Sequence, residues 1–207
     1  MSNKISRRTF LKCTGASAAA LGTAALLGGC QSSSNASVEV KVGDKVSNWN
    51  NLGVQLTSVF TLTSAPDVPG HEYVAVLVTA VNRSSSVTFN IGAPNIAEIN
   101  AAYPLDTDAA KAANTAPYFH ALSASTTDFA VVCDGADVES GAYISLYDST
   151  TETFTDAPSL PPQRSGYIEL VCMVPTGRQQ ITVTYTPTFV TNKTLTFSLS
   201  ASDVAKA

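Results

Sequence analysis

Few residues in this chain have chemical reach. His71 and His120 are its only histidines, set in His71-Glu72-Tyr73 and Tyr118-Phe119-His120. A zinc site takes three or four ligands, usually spaced within helices or knuckles. Neither histidine has such spacing, and no Cys-x-x-Cys is present. His71 reads as a loop residue and His120 as a strand residue. Acids gather at Asp134, Asp137 and Glu139, and again at Asp148, Glu152 and Asp156. The first group lacks the Asp-x-Asp-x-Asp-Gly register and closing Glu of a calcium loop, so it reads as a solvated acidic loop. Serine is abundant, but no Gly-x-Ser-x-Gly elbow presents one as a nucleophile. No glycine-rich loop is built to cradle phosphate. This inventory predicts no catalytic residue, no metal ligand set and no cofactor.

The thiols say more. Of the four cysteines, Cys13 and Cys30 fall in the first thirty residues, and only Cys133 and Cys172 belong to the rest. Cys133 follows Phe129 and Val131 at alternate positions, and Cys172 follows Ile168 and Leu170. Both should point inward from strands. In an exported protein such a pair is a disulfide candidate. Closing the loop would stabilise by about 3–4 kcal/mol in the chain-entropy model. The alternative is two free thiols serving as small core hydrophobes. Aromatic side chains supply the remaining candidates. Trp49 stands in the polar run Ser47-Asn48-Trp49-Asn50-Asn51, and Tyr143 and Tyr147 flank Ile144-Ser145-Leu146. Aromatics on sandwich loops are either binding anchors or lids over the sheet ends.

Charge is segregated along the chain. Lys4, Arg7, Arg8 and Lys12 fall before residue 30, where there is no acid. That leaves eight of the twelve bases against all sixteen acids, a formal charge near −8 for the remainder. Such a balance repels phosphate backbones and argues against a nucleic-acid partner. The basic start, Ser6-Arg7-Arg8-Thr9-Phe10-Leu11-Lys12, resembles the twin-arginine export consensus, with Arg7, Arg8, Phe10 and Leu11 at its key positions. The segment 13–29 is rich in Ala, Gly and Thr, with leucine only at 21, 26 and 27. It is too short and too glycine-rich for a comfortable membrane span. Leu27-Gly28-Gly29-Cys30 resembles the lipobox of bacterial lipoproteins. The resemblance implies cleavage before Cys30 and lipidation of its thiol, two acyl chains giving stable attachment where one is marginal. The serine-rich run 31–37 reads as a flexible tether.

The elements that must position the remaining residues alternate with period two. Val54, Leu56, Phe60 and Leu62 alternate with polar residues, and 73–81 is nearly all apolar, as in a strand covered on both faces. Val87, Phe89 and Ile91 share a face, as do Ile181, Val183 and Tyr185, and Leu195, Phe197 and Leu199. Turn residues separate these runs at Pro69-Gly70, Asp134-Gly135, Pro161-Pro162 and Thr176-Gly177. The expected fold is all-β, an antiparallel sandwich of about seven to nine strands. The segment 92–125 has no readable period, although 106–113 suits a short helix or a polar excursion.

Three features carry a wider resemblance: Val42-Gly43-Asp44, a valine-rich run ending in Val81-Asn82, and a late strand ending in Val174-Pro175. Together they resemble a family of bacterial exported lipoproteins with an immunoglobulin-like domain of unknown function. The family implies fold and export and supplies no catalytic residue. The chain then divides into a signal segment (1–29), a tether (30–37) and an immunoglobulin-like β-sandwich (38–207). The expected protein is not an enzyme. It is a lipid-anchored extracytoplasmic module on the outer face of the bacterial membrane, binding a cell-envelope protein or glycan. The other reading is a metal or cofactor carrier, because the twin-arginine route transports folded proteins.

Overall fold

The computed structural model describes residues 37–205. The export residues Arg7, Arg8, Phe10 and Leu11, and the Cys30 thiol, lie outside the described residues.

The valine-rich runs form the long inner strands. β-Branched residues suit a pleated sheet, and alternation decides which face each side chain joins. One sheet has six strands, in the order β2 (Lys45–Trp49), β3 (Leu52–Thr61), β4 (His71–Asn82), β11 (Ser165–Pro175), β8 (Ser140–Asp148) and β9 (Thr153–Ala157). The other has five, in the order β1 (Val38–Val40), β13 (Leu195–Ser200), β12 (Gln180–Tyr185), β6 (Phe129–Cys133) and β7 (Ala136–Asp137). A small ladder joins β5 (Phe89–Asn90) to β10 (Ser159–Leu160).

Strands β4 and β11 pair antiparallel along their length, from Ser165 opposite Val81 to Pro175 opposite His71. Their inner faces carry Val74, Val76, Val78 and Ala80, and Ile168, Leu170, Cys172 and Val174. These meet Val131, Cys133, Ile181, Val183, Tyr185, Leu195, Phe197 and Leu199 from the five-stranded sheet. Two sheets packed through alternating faces make the expected β-sandwich.

Three details differ from the sequence expectation. The strand count exceeds nine, because β7, β9 and the β5–β10 ladder are too short or too polar to show an alternation. β1 pairs with β13 in parallel, so the pairing is not wholly antiparallel. The run 87–91 yields only the two-residue β5, with Val87 exposed. Here the buried Asn82 intervenes. Its amide donates to the carbonyls of Val87 (2.7 Å) and Leu160 (2.9 Å), and its side-chain oxygen accepts from the Ser84 N–H (2.9 Å). The Val87 carbonyl is thereby held by a side chain instead of a ladder.

The segment without a readable period folds into two helices on the outer face of the six-stranded sheet. These are α1 (Ile96–Ala102) and α2 (Asp108–Ala124). Asn95 caps α1 by accepting from the Ala97 N–H, and Thr107 caps α2 by accepting from the Ala110 N–H. On α2, Thr115, Tyr118, Phe119 and Leu122 fall on one face and are buried. Gly141 of β8 admits that face. A Cβ there would lie 2.7 Å from Leu122 Cγ and 2.9 Å from the Ser123 nitrogen.

Candidate binding face

Because the inner residues of β4, β8 and β11 are fixed by the core, their alternate residues form the outer face. On β11 these are Tyr167, Glu169, Val171 and Met173. On β8 they are Gly141, Tyr143, Ser145 and Tyr147. On β9 they are Phe154 and Asp156, opposite Tyr147 and Ser145.

The helices divide this face. Tyr73, Ala75 and Val171 pack with Phe119 of α2, with Phe60 and Met173 beside them. Tyr143 packs with Ile96, Ile99, Tyr118 and Leu122. Beyond Tyr143 the outer side chains are only half-buried. There the Phe154 ring lies between those of Tyr147 (4.9 Å between centroids) and Tyr167 (5.0 Å), tilted to both. Rings at this separation gain from edge-to-face contact. Gly166, next to Tyr167, lets β8 approach closely, since a Cβ would sit 2.5 Å from the Ser145 carbonyl oxygen.

Polar groups flank the three rings. Ser145 Oγ donates to Asp156 Oδ1 at 2.9 Å, and the Thr57 and Thr79 hydroxyls bond each other at 2.9 Å. The Tyr143 hydroxyl donates to Glu169 Oε2, while Glu169 Oε1 is buried without a partner. Burial raises the Glu169 carboxyl to about 7, with Asp156 adding to the rise and the Tyr143 bond opposing it. Burial, followed by the Glu169 charge, also raises the Tyr143 phenol well above its ordinary value. The face can thus offer aromatic contact beside hydroxyl and carboxyl hydrogen-bonding groups.

The residues singled out from sequence scatter through the fold. Trp49 is corrected: it is fully buried in the sandwich core on β2 and cannot act as a binding anchor. The Asn50-Asn51 turn, with both residues at positive φ, reverses the chain directly after it. The polar neighbours of Trp49 point to exposure, but an irregularity in β2 between Val46 and Trp49 brings both side chains into the same core, where strict alternation would have placed them on opposite faces. Tyr143 and Tyr147 lie within β8 and not on a loop. Tyr143 is held under the helices, whereas Tyr147 belongs to the open aromatic group. Phe154 and Tyr167 were missed. Their signal was present, since Tyr167 and Glu169 alternate out of phase with Ile168 and Leu170.

Cys133 and Cys172 are both buried and free, so the expected disulfide is replaced by its alternative. They sit on β6 and β11, in different sheets, among aliphatic side chains of one core. Burial pushes both thiols upward, which keeps them protonated and unreactive.

The histidines also move. His71 opens β4, and His120 lies on α2 and not on a strand. Its Nδ1 is 2.7 Å from Glu139 Oε1 and its Nε2 is 3.4 Å from Asp67 Oδ2. The acidic run is not simply solvated. Asp134 accepts from the N–H groups of Gln179 and Gln180, and Glu139 faces His120. Among the described residues no group of three or more His, Cys, Asp or Glu is placed to hold a metal ion. Among them, too, no helix is long and apolar enough to cross a membrane.

Residues 4–28 match the TAT (twin-arginine translocation) pathway signal sequence. That signal directs export across the cytoplasmic membrane. No curated protein matches the chain in sequence. Among solved structures, the chain is similar to an uncharacterized beta-sandwich protein from Clostridium difficile 630. The identity is 11% and the TM-score 0.43, over 83% of this chain and 100% of that one.

Proposed function

We propose that this exported β-sandwich is a lipid-anchored, non-catalytic module that binds cell-envelope glycan through the open end of its six-stranded sheet. The observation that supports this reading is the aromatic group Tyr147, Phe154 and Tyr167, beside the Ser145–Asp156 and Thr57–Thr79 hydrogen-bonding pairs. Sugar rings present C–H faces that stack on aromatic rings and hydroxyls that bond polar side chains. A pyranose therefore needs both kinds of contact on one surface. The acidic balance after residue 30 favours a neutral polymer over a polyanion.

Retention of the purified protein on insoluble cell-wall polysaccharide tests the reading. Replacing Tyr147 and Tyr167 together by alanine should weaken binding by roughly 2 kcal/mol, about thirtyfold, as expected for aromatic anchors. Unchanged retention by a folded double variant would remove the glycan site from this face. Binding only to an envelope protein would replace the ligand class.

A further inference from the structure

His120 stands at the junction of three separate pieces of chain. It projects from α2. Glu139, which faces its Nδ1 at 2.7 Å, lies between β7 and β8. Asp67, which faces its Nε2 at 3.4 Å, lies in the connection between β3 and β4. Neither carboxylate is a neighbour of His120 in sequence, so their convergence is a product of the fold.

The hydrogen-bond chemistry of imidazole constrains what this geometry means. A neutral ring carries one N–H and can donate to one acceptor only. The imidazolium carries two and can donate to both. Both ring nitrogens here face a carboxylate oxygen. The arrangement is complete only when the ring is protonated.

We infer that His120 is a pH-dependent clasp fastening the helical layer to the six-stranded sheet, closed as the imidazolium and loosened as the neutral ring. This goes beyond the binding role proposed above and does not depend on it. Beneath the clasp, Phe119 packs on Tyr73 of β4 with centroids 4.8 Å apart, so the residue next to His120 carries the apolar contact that the clasp secures. The titratable groups facing His120 are Glu139, Asp67 and Tyr73. The Tyr73 hydroxyl is buried without a partner, and its value is pushed up to about 12 by burial and then by the Asp67 and Glu139 charges. It stays neutral throughout and does not compete.

The direction follows from the two carboxylates. The hydrogen bond to Glu139 raises the His120 value above 6.5, burial opposes it, and Asp67 adds to the rise. A group whose folded value is raised contributes stability that is full below its unfolded value. That contribution is lost as pH climbs through the folded value. The helical layer should therefore hold more firmly in mild acid than in mild alkali, and an exported protein meets the pH of its surroundings.

Amide hydrogen exchange of the full chain, corrected for the intrinsic pH dependence, reads the clasp directly. Peptides from α2 should lose protection several-fold between about pH 6 and about pH 8, while those from β4 and β12 change little. His120→Gln, which cannot titrate, should shrink the α2 dependence. An α2 dependence identical to that of the unsubstituted protein would overturn the inference. A second measurement needs no variant: the His120 ring resonances should titrate with a midpoint above 6.5, and a midpoint at or below it would also overturn the clasp.

Discussion

Glu169 shows how one residue can carry a cost that its strand conceals. Its carboxyl is buried, with one oxygen bonded to the Tyr143 hydroxyl and the other unpartnered. Burial lifts its value from 4.5 to about 7, so the folded chain holds this proton more tightly than the unfolded chain does. The stabilisation is complete below about 4.5 and is lost as pH rises to about 7. Above that the domain must keep a charge where water is scarce. Glu169→Gln keeps an acceptor for Tyr143 and removes the charge. Thermal unfolding followed by circular dichroism should show a higher Tm than the parent near pH 8, and a smaller or reversed difference near pH 5. Equal losses at both values would show that shape, and not charge, dominates at this site. The sequence made this position visible only as an acid in an apolar strand. Its partner on β8 depends on the pairing of Glu169 with Tyr143, a register fixed by distant segments. Trp49 carries the converse lesson. Four polar neighbours suggested exposure, yet a register shift in β2 between Val46 and Trp49 turned the ring into the core.

At the scale of elements, strands were far more legible than helices, of which 106–113 alone reads as a short helix or a polar excursion, for one physical reason. A strand announces itself by alternation over a few residues, as β6, β11, β12 and β13 do, or by a continuous apolar run, as β4 does, whereas the alternation of β3 changes face at a bulge between Leu56 and Ser58. The helices carry thin apolar stripes. Ile96 and Ile99 are the buried residues of α1, and α2 begins with a turn of alanine and polar residues before Thr115. Their stability comes from docking rather than propensity, and a single-sequence pattern cannot show a dock. The candidate face was half legible for the same reason. Tyr147 stood out, but its neighbours Phe154 and Tyr167 arrive on two other strands whose order in the sheet is not written locally. The docking itself can be tested at Gly141, where α2 leaves no room for a side chain. Gly141→Val should force Leu122 and Ser123 outward and cost about 1–3 kcal/mol through overpacking. Tm should fall by several degrees and exchange should quicken across α2. Emission from Trp49, buried in the sandwich core beyond the sheet, should stay unchanged. A shifted Trp49 spectrum would mean that the sheet itself had opened.

At the scale of the molecule, the proposed function assigns address and attachment, two separate physical acts, to separate residues. The twin-arginine signal is read by a receptor and then has no further hold on the protein. A body with a formal charge near −8 is, on balance, repelled electrostatically by an anionic lipid surface. The retention at the membrane proposed above would therefore rest on hydrocarbon, and Cys30, at the end of Leu27-Gly28-Gly29, is the residue proposed to carry it. The two acts should fail differently. Replacing Arg7 and Arg8 by lysine keeps the charge but removes the recognised pair, so the precursor should accumulate in the cytoplasm with its signal uncleaved. Cys30→Ala leaves the address intact. Its product should cross the membrane yet leave the detergent phase in a partition assay, because roughly 0.8 kcal/mol per buried methylene would be lost along the two proposed acyl chains. Fractionation of cells expressing each variant distinguishes these outcomes. An alanine variant that stays with the membrane would show that the sandwich, or a partner already embedded there, supplies the attachment instead.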